Sequence, residues 1–470
     1  MLHVSTRGEA APLSFSDALL AGLARDGGLY VPQAWPRIDR DAIAGLAGQP
    51  YAEAAKRVLR PLIDGEIADA DLDRMIEGAY ATFRHPAVCP LTQLDDNLFL
   101  LELFHGPTLA FKDVAMQLLG RLMDHVLRAR GTRATIVGAT SGDTGSAAVE
   151  AFGGLDSVDV FILYPHGRVS EVQRRQMTGV GASNVHALAV DGTFDDCQTL
   201  VKALFQHADF AESVRLSGVN SINWARVAAQ TVYYFTSAVA LGSPHRPVSF
   251  AVPTGNFGDV LAGWVAKRMG LPVGRLMIGT NANDILVRTL EHGAYELRGV
   301  EATTSPSMDI QISSNFERLL FEALGRDASS LSRLMAGLRQ SGGFTLSEPV
   351  LSAVRDEFDA CAVPEPDVMA EIAQTYAATG VTLDPHSAIG VRAGRRLLER
   401  DSATPVVALA TAHPAKFPDA VSRATGGPPP ALPPHLADLM DRPERLTRVA
   451  NDQAAVEHLI RERARIARAA

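Results

Sequence analysis

Apolar and polar positions alternate along this chain in two regimes. Up to about residue 90 the apolar positions recur at helical spacing, with Phe15, Ala18, Leu19, Leu20 and Leu23 on one face. Asp26-Gly27-Gly28 stops that pattern, and Pro32 and Pro36 carry an extended link. Two more helical patterns follow, near 50–60 and 69–83. His85-Pro86-Ala87-Val88-Cys89-Pro90 marks a boundary, because each proline disfavours helix in the residue before it. A short apolar run, Leu98 to Leu101, and Glu102 then lead into His105 to Gln117.

From about residue 132 the regime changes. Short runs rich in β-branched residues alternate with amphipathic helical stretches. The runs are Ala134 to Val137, Asp159 to Tyr164, Val185 to Val190, Val248 to Val252, Leu276 to Gly279 and Val406 to Ala410. This alternation predicts a mostly parallel sheet covered on both faces, an α/β fold. The expected organisation is a helical N-terminal domain over 1–92, an α/β catalytic region over 93–425, and a tail over 426–470. In that tail Gly426 to Pro434 is a proline-rich surface connection and Arg461 to Arg468 a solvated basic helix.

Bulk composition narrows the functional classes. The 470 residues suffice for several domains and a large core. A hydrophobic share of 47% with 21% charged residues suits a soluble globular protein. A net charge of −9 leaves no nucleic-acid footprint. No apolar run is long enough to span a bilayer, and the N-terminus lacks a secretory core. Cys89, Cys197 and Cys361 show no ligand spacing, which suggests a reducing compartment and a cytoplasmic protein. HExxH and GxSxG are absent, as is any compact His/Cys/Asp cluster for zinc.

The candidate chemistry starts at Lys112, placed between Phe111 and Asp113 where a loop becomes a helix. The positive end of a helix dipole and an apolar pocket both favour a neutral amine, and a neutral amine can form a Schiff base. A solvated lysine at a helix start is the plainer alternative. Two glycine-rich loops change the balance. Gly138-Ala139-Thr140-Ser141-Gly142-Asp143-Thr144-Gly145 leaves one strand and enters the helix Ser146 to Phe152. Pro253-Thr254-Gly255-Asn256-Phe257-Gly258-Asp259 leaves another and opens the helix Val260 to Met269. Free N–H groups at such helix starts attract anions. Ser141 and Thr144 add hydroxyl donors, although Thr144 and Asp259 also read as plain helix caps. Neither loop is a P-loop or GxGxxG, which argues against a nucleotide-dependent dehydrogenase. Two anion loops beside such a lysine fit a phosphorylated aldehyde cofactor, pyridoxal 5'-phosphate.

Three further stretches carry polar groups. Ser313, Asn315 and Arg318 precede the helix Leu319 to Leu324 and read as a donor cluster for an anionic substrate. Thr411-Ala412-His413-Pro414-Ala415-Lys416-Phe417 sits at the carboxyl end of a strand, where ligands bind in open α/β sheets. His413 there is either catalytic or structural. Asn223 and Arg226 carry a weaker signal of the same kind.

Together these stretches resemble the threonine synthase family, in its longer form with an N-terminal helical domain. Ser5-Thr6-Arg7-Gly8, Asp26 to Pro32 and Ser221 to Ala225 add to the resemblance, which covers nearly the whole chain. The resemblance implies the fold-type II architecture of pyridoxal-phosphate enzymes, similar to the tryptophan synthase β subunit. Two α/β domains would flank the cofactor. It implies that Lys112 holds the cofactor as a Schiff base and that Gly255, Asn256, Phe257 and Gly258 bind its phosphate. Thr411 would face the pyridine nitrogen, and Asp143 would stand where many relatives have asparagine facing the ring hydroxyl. Ser141 and Thr144 would hold the substrate carboxylate, with Ser313, Asn315 and Arg318 on the substrate phosphate. The implied activity is a lyase reaction of threonine biosynthesis, converting O-phospho-L-homoserine and water to L-threonine and phosphate. The chain would work as a monomer or homodimer, with no nucleic acid and no membrane. A threonine or serine dehydratase and a non-catalytic phosphoester-binding protein are the rival readings. The Ala-Phe-Lys at Lys112, Asp143 and the long N-terminal region speak against the first. Intact Lys112 and Thr411 speak against the second.

Overall fold

A computed structural model describes residues 1–466 of the chain. Two sheets form its body. The larger has six strands in the order Phe358–Ala362, Val273–Thr280, Val248–Pro253, Val406–Ala410, Leu98–Glu102 and Leu91–Asp95. All its pairings are parallel except the last, where Leu91–Asp95 runs antiparallel at the edge. The second sheet has five parallel strands in the order Thr447–Ala450, Val185–Asp191, Val158–Pro165, Ala134–Ala139 and Leu216–Ser217. Val248–Pro253, Val158–Pro165 and Val406–Ala410 are buried at every position. Strands covered on both faces need mostly apolar side chains on both, and only Asp159 and Ser249 interrupt these three runs. The architecture is the expected α/β fold with mostly parallel sheets.

The N-terminal helices Tyr51–Ile63 and Asp69–Tyr80 share one continuous core with the central helices Lys112–Ala129 and Trp224–Ala240. Val58, Leu62 and Ile76 pack into the same cluster as Met116, Leu119, Tyr233 and Tyr234. The first residues pair as a small antiparallel ribbon, His3–Ser5 against Tyr30–Pro32. Glu317 anchors this ribbon to the body by accepting from Thr6 Oγ1 at 2.7 Å and Arg7 Nη2 at 2.9 Å.

The tail differs from its sequence pattern. Thr447–Ala450 joins the second sheet as an edge strand too short to show alternation. The last helix among the described residues is Gln453–Arg463, so of the described part of the basic stretch Arg461 to Arg468 only residues 461–463 are helical. Arg465 is tied to the body: its Nε meets Asp159 Oδ1 at 2.7 Å, and one Nη reaches the Leu155 and Val158 carbonyls. Ala467 and Arg468 lie outside the described residues.

Candidate active site

Lys112, both glycine loops and Thr411 converge at the carboxyl ends of the two sheets. They line a cavity of about 820 Å³. Lys112 is the first residue of its helix, which starts without a side-chain cap. The residue is only 8% exposed, and burial pushes its ammonium below the usual lysine range. The Asp143 carboxylate opposes that shift, while Lys416 and Arg226 add to it. Lys112 Nζ lies 3.3 Å from Asp143 Oδ2 and 4.9 Å from the centre of the Phe111 ring.

The loop after Ala134–Ala139 is organised by Thr140, not by Thr144. Thr140 Oγ1 accepts from the Gly142 and Gly145 N–H groups, each at 2.9 Å. Gly142 has a φ of 137°, and a Cβ there would meet Gln173 at 2.3 Å, so only glycine fits. Ser141 and Thr144 face the cavity. Asp143 begins the helix Asp143–Phe152 and is buried behind the cavity wall.

The turn Gly255–Gly258 is built so that its carbonyls point away from the cavity. Ser313 Oγ donates to the Gly255 carbonyl at 2.6 Å, and Asn315 donates to the Asn256 carbonyl through its backbone and its side chain, both at 3.1 Å. Phe257 takes a φ of 63°, and the helix Gly258–Arg268 starts without a side-chain cap. Among the described residues no protein acceptor takes the N–H groups of residues 255–257. Asp259 is not the cap expected from sequence. Its Oδ1 accepts from the Tyr233 and Tyr234 hydroxyls, and burial pushes it up to about 6.

These bonds correct the assignment of Ser313, Asn315 and Arg318 to a substrate anion. None of the three lines the cavity. Arg318 is 1% exposed, with Nε on the Tyr30 carbonyl at 3.0 Å, one Nη on the Ile222 carbonyl at 2.6 Å and the other on Asn315 Oδ1. These side chains are committed to partners behind the turn, and none of them reaches the cavity in front of it.

The cavity holds a different free cation. Arg226 lies on its wall and is 3% exposed; Nη1 reaches the Val219 carbonyl at 3.2 Å, while Nε has no partner among the described residues. Burial lowers its guanidinium to about 10. Asn223, by contrast, caps the Trp224–Ala240 helix and donates to the Leu19 carbonyl at 2.9 Å. His413 is also structural: its Nδ1 accepts from the Ala415 N–H at 3.1 Å, and burial lowers it to about 4.

Thr411 follows the strand Val406–Ala410 and lines the cavity. Its carbonyl accepts from the Phe111 N–H at 2.8 Å, which fixes it against the Lys112 segment. His386 stands beside it. Its Nε2 lies 3.3 Å from the Ser307 N–H and its Nδ1 pairs with Asp384 Oδ2 at 2.7 Å, so both ring nitrogens are engaged and the ring is fixed in orientation. Sequence reading missed His386, Gln173, Ser307 and the part played by Lys416. Asp384-Pro385 at a helix start was the only local cue to His386.

The donor set suits a phosphorylated pyridine aldehyde. The turn offers unspent N–H groups to a phosphate, Thr411 offers an oxygen to a ring nitrogen, and Lys112 offers an amine depressed by burial. The fold and this site define a pyridoxal-phosphate-dependent enzyme. A family profile described as pyridoxal-phosphate dependent enzyme matches residues 85–412. Profiles for the threonine synthase N terminus and C-terminal region match residues 2–80 and 387–460. Threonine synthase of Pseudomonas aeruginosa is 53% identical over 460 residues, covering 98% of each chain. The crystal structure of PLP-bound threonine synthase from Brucella melitensis superposes with a TM-score of 0.96 at 63% identity, covering 99% of this chain and 100% of that one. Threonine synthase from yeast gives a TM-score of 0.93 at 40% identity, covering 98% of each. The chain belongs to the threonine synthase family, and its cofactor is pyridoxal 5'-phosphate.

Proposed function

We propose that the chain converts O-phospho-L-homoserine and water to L-threonine and phosphate. The observation that carries the substrate assignment is Arg226, a buried guanidinium with an unspent Nε on the cavity wall that also holds Lys112. A desolvated cation with a free donor is suited to a phosphate monoester. The hydroxyls of Ser141 and Thr144 lie on the second sheet's side of the cavity, in reach of a substrate carboxylate.

Bound pyridoxal phosphate supplies an electron sink for negative charge beside the substrate's amine-bearing carbon. The N–H groups of residues 255–257 would hold the cofactor's phosphate. Thr411 would offer the ring nitrogen a hydroxyl, which cannot keep that nitrogen charged as a carboxylate would. Lys112 carries protons to and from the substrate carbons through its side-chain nitrogen, which burial keeps ready to accept them. Arg226 holds the phosphate that leaves the γ carbon before water adds at the β carbon. Phe111, Val137, Met308 and Ile310 give part of the cavity an apolar wall.

The reading places the protein in the cytoplasm, which three buried free cysteines support. Among the described residues no helix is long and apolar enough to cross a membrane. The test is an assay of the purified, cofactor-loaded protein. Threonine and phosphate should appear together from O-phospho-L-homoserine. Keto-acid release from threonine, with phosphohomoserine left intact, would overturn the reading in favour of a dehydratase.

A further inference from the structure

Lys416 is a second buried lysine beside Lys112, and the reaction outlined above makes no use of it. It closes the short turn Pro414–Lys416 after the strand Val406–Ala410 and is 0% exposed. Its Nζ donates to Asp143 Oδ1 at 2.8 Å and to the Thr108 carbonyl at 2.8 Å. Thr108 is itself fixed by Asp113, the residue after Lys112, through its N–H at 2.8 Å and its hydroxyl at 2.7 Å. The segment that carries Lys112 therefore also locks Lys416.

Asp143 is shared between the two lysines. Its Oδ1 takes Lys416 and Gln173 Nε2, the latter at 2.9 Å. Its Oδ2 faces Lys112 Nζ at 3.3 Å and Ser307 Oγ at 3.4 Å. Two ammonium groups, Lys112 and Lys416, share the single Asp143 carboxylate here, because Asp113 is spent on Thr108 and Asp259 on two tyrosine hydroxyls. A buried charge without full compensation is relieved by losing its proton. Lys416 has two acceptors at 2.8 Å and Lys112 has one at 3.3 Å, so Lys112 is the less firmly held of the two ammonium groups.

We propose that Lys416, through Asp143, sets the proton affinity of the Lys112 nitrogen and is a positioning residue of the active site. The proposal rests on Lys112 being the working amine. The other charged or titratable groups around Lys112 are accounted for. Arg226, from the helix Trp224–Ala240, adds positive charge. Asp259, from the helix Gly258–Arg268, is spent on two tyrosine hydroxyls. His386, from the helix Pro385–Arg400, faces Asp143 but is paired with Asp384. Burial acts to raise the Asp143 carboxyl, yet Lys416 and then Lys112 outweigh it and hold it well below the usual carboxylate range. Asp143 thus stays an anion and transmits the presence of Lys416 to Lys112.

The test is a four-protein cycle: wild type, Lys416→Met, Asp143→Asn and the double variant. Two quantities are read against pH. One is the visible absorbance of the cofactor-loaded protein. The other is the rate at which the apo-protein captures added pyridoxal 5'-phosphate. Lys416→Met removes a competing cation and should move both midpoints up by about one unit. Asp143→Asn leaves Lys416 uncompensated and should move them down by about as much. The double variant should return to within about half a unit of wild type. A merely structural role would not give shifts of opposite sign that cancel. If Lys416→Met does not fold, the downward shift of Asp143→Asn and its cancellation in the double variant still decide the matter. Unmoved or same-direction midpoints would overturn the proposal. Lys112→Ala keeping its visible absorbance would instead overturn the assignment of Lys112, so the two failures are distinct.

Discussion

The Ser313 hydroxyl donates to the Gly255 carbonyl at 2.6 Å, from behind the turn proposed to hold the cofactor phosphate. The residue read from sequence as a substrate ligand instead aims that turn's N–H groups forward. Ser313→Ala removes one buried hydrogen bond, worth about 1 kcal/mol. Pyridoxal 5'-phosphate affinity should fall by about fivefold while the Michaelis constant for O-phospho-L-homoserine at saturating cofactor stays unchanged. Fluorescence titration of the apo-protein and steady-state kinetics separate the two effects. An intact cofactor affinity with a raised Michaelis constant would restore the substrate role.

Arg226 should behave in the opposite way. Arg226→Met removes the buried guanidinium on the cavity wall, and a charge-assisted hydrogen bond is worth about 1.5–3 kcal/mol. The ratio kcat/KM should drop by roughly 10- to 150-fold on that basis, with cofactor affinity held. Inhibition by inorganic phosphate should weaken in parallel. Unchanged phosphate inhibition in this variant would move the substrate anion elsewhere.

Lys112→Ala should abolish both turnover and the visible absorbance of the loaded protein. The fold should persist, because the lysine's stem is one small part of a helix start whose other buried residues, Val114 to Leu119, are untouched. Circular dichroism and absorbance spectra on one sample report both. Persisting absorbance would remove Lys112 from the chemistry.

Arg318→Ala should act on stability. It leaves the Tyr30 and Ile222 carbonyls unsatisfied and opens a void beneath the Trp224 ring, whose face the guanidinium covers at 5.9 Å. Losses of this kind amount to about 2–5 kcal/mol. The urea midpoint should fall, and the N-terminal ribbon should become the first site of proteolysis. A stable variant with poor substrate affinity would contradict this.

His3 predicts an acid-side loss of stability. Burial, then the N-terminal ammonium, lower its folded value to about 4 from 6.5. The unfolded chain therefore binds the proton more tightly. Stability is fully present above about pH 6.5 and drains away as pH falls towards 4, by up to about 3 kcal/mol. Both ring nitrogens lack partners among the described residues, so His3→Phe should be tolerated. Urea unfolding of the variant at pH 7 and pH 4.5 should show a smaller difference than in the wild type. An equal difference would assign the loss to other groups.

Sequence alone determined the elements that a local pattern can encode. Val406–Ala410 was legible to the residue, because a strand buried on both faces must be apolar throughout. Lys112 and the two glycine loops were legible because a helix start that binds anions needs small residues and free N–H groups nearby in sequence. The partners of Ser313, Arg318, Arg226 and Lys416 became visible only in three dimensions. A polar residue carries no mark of whether its partner is a ligand or a carbonyl dozens of residues away. Ser313 meets Gly255 across 58 positions, and Arg318 meets Tyr30 across 288. Hydrogen-bonding capacity is finite, so the packing of distant segments decided which donors were spent on the fold and which remained for chemistry.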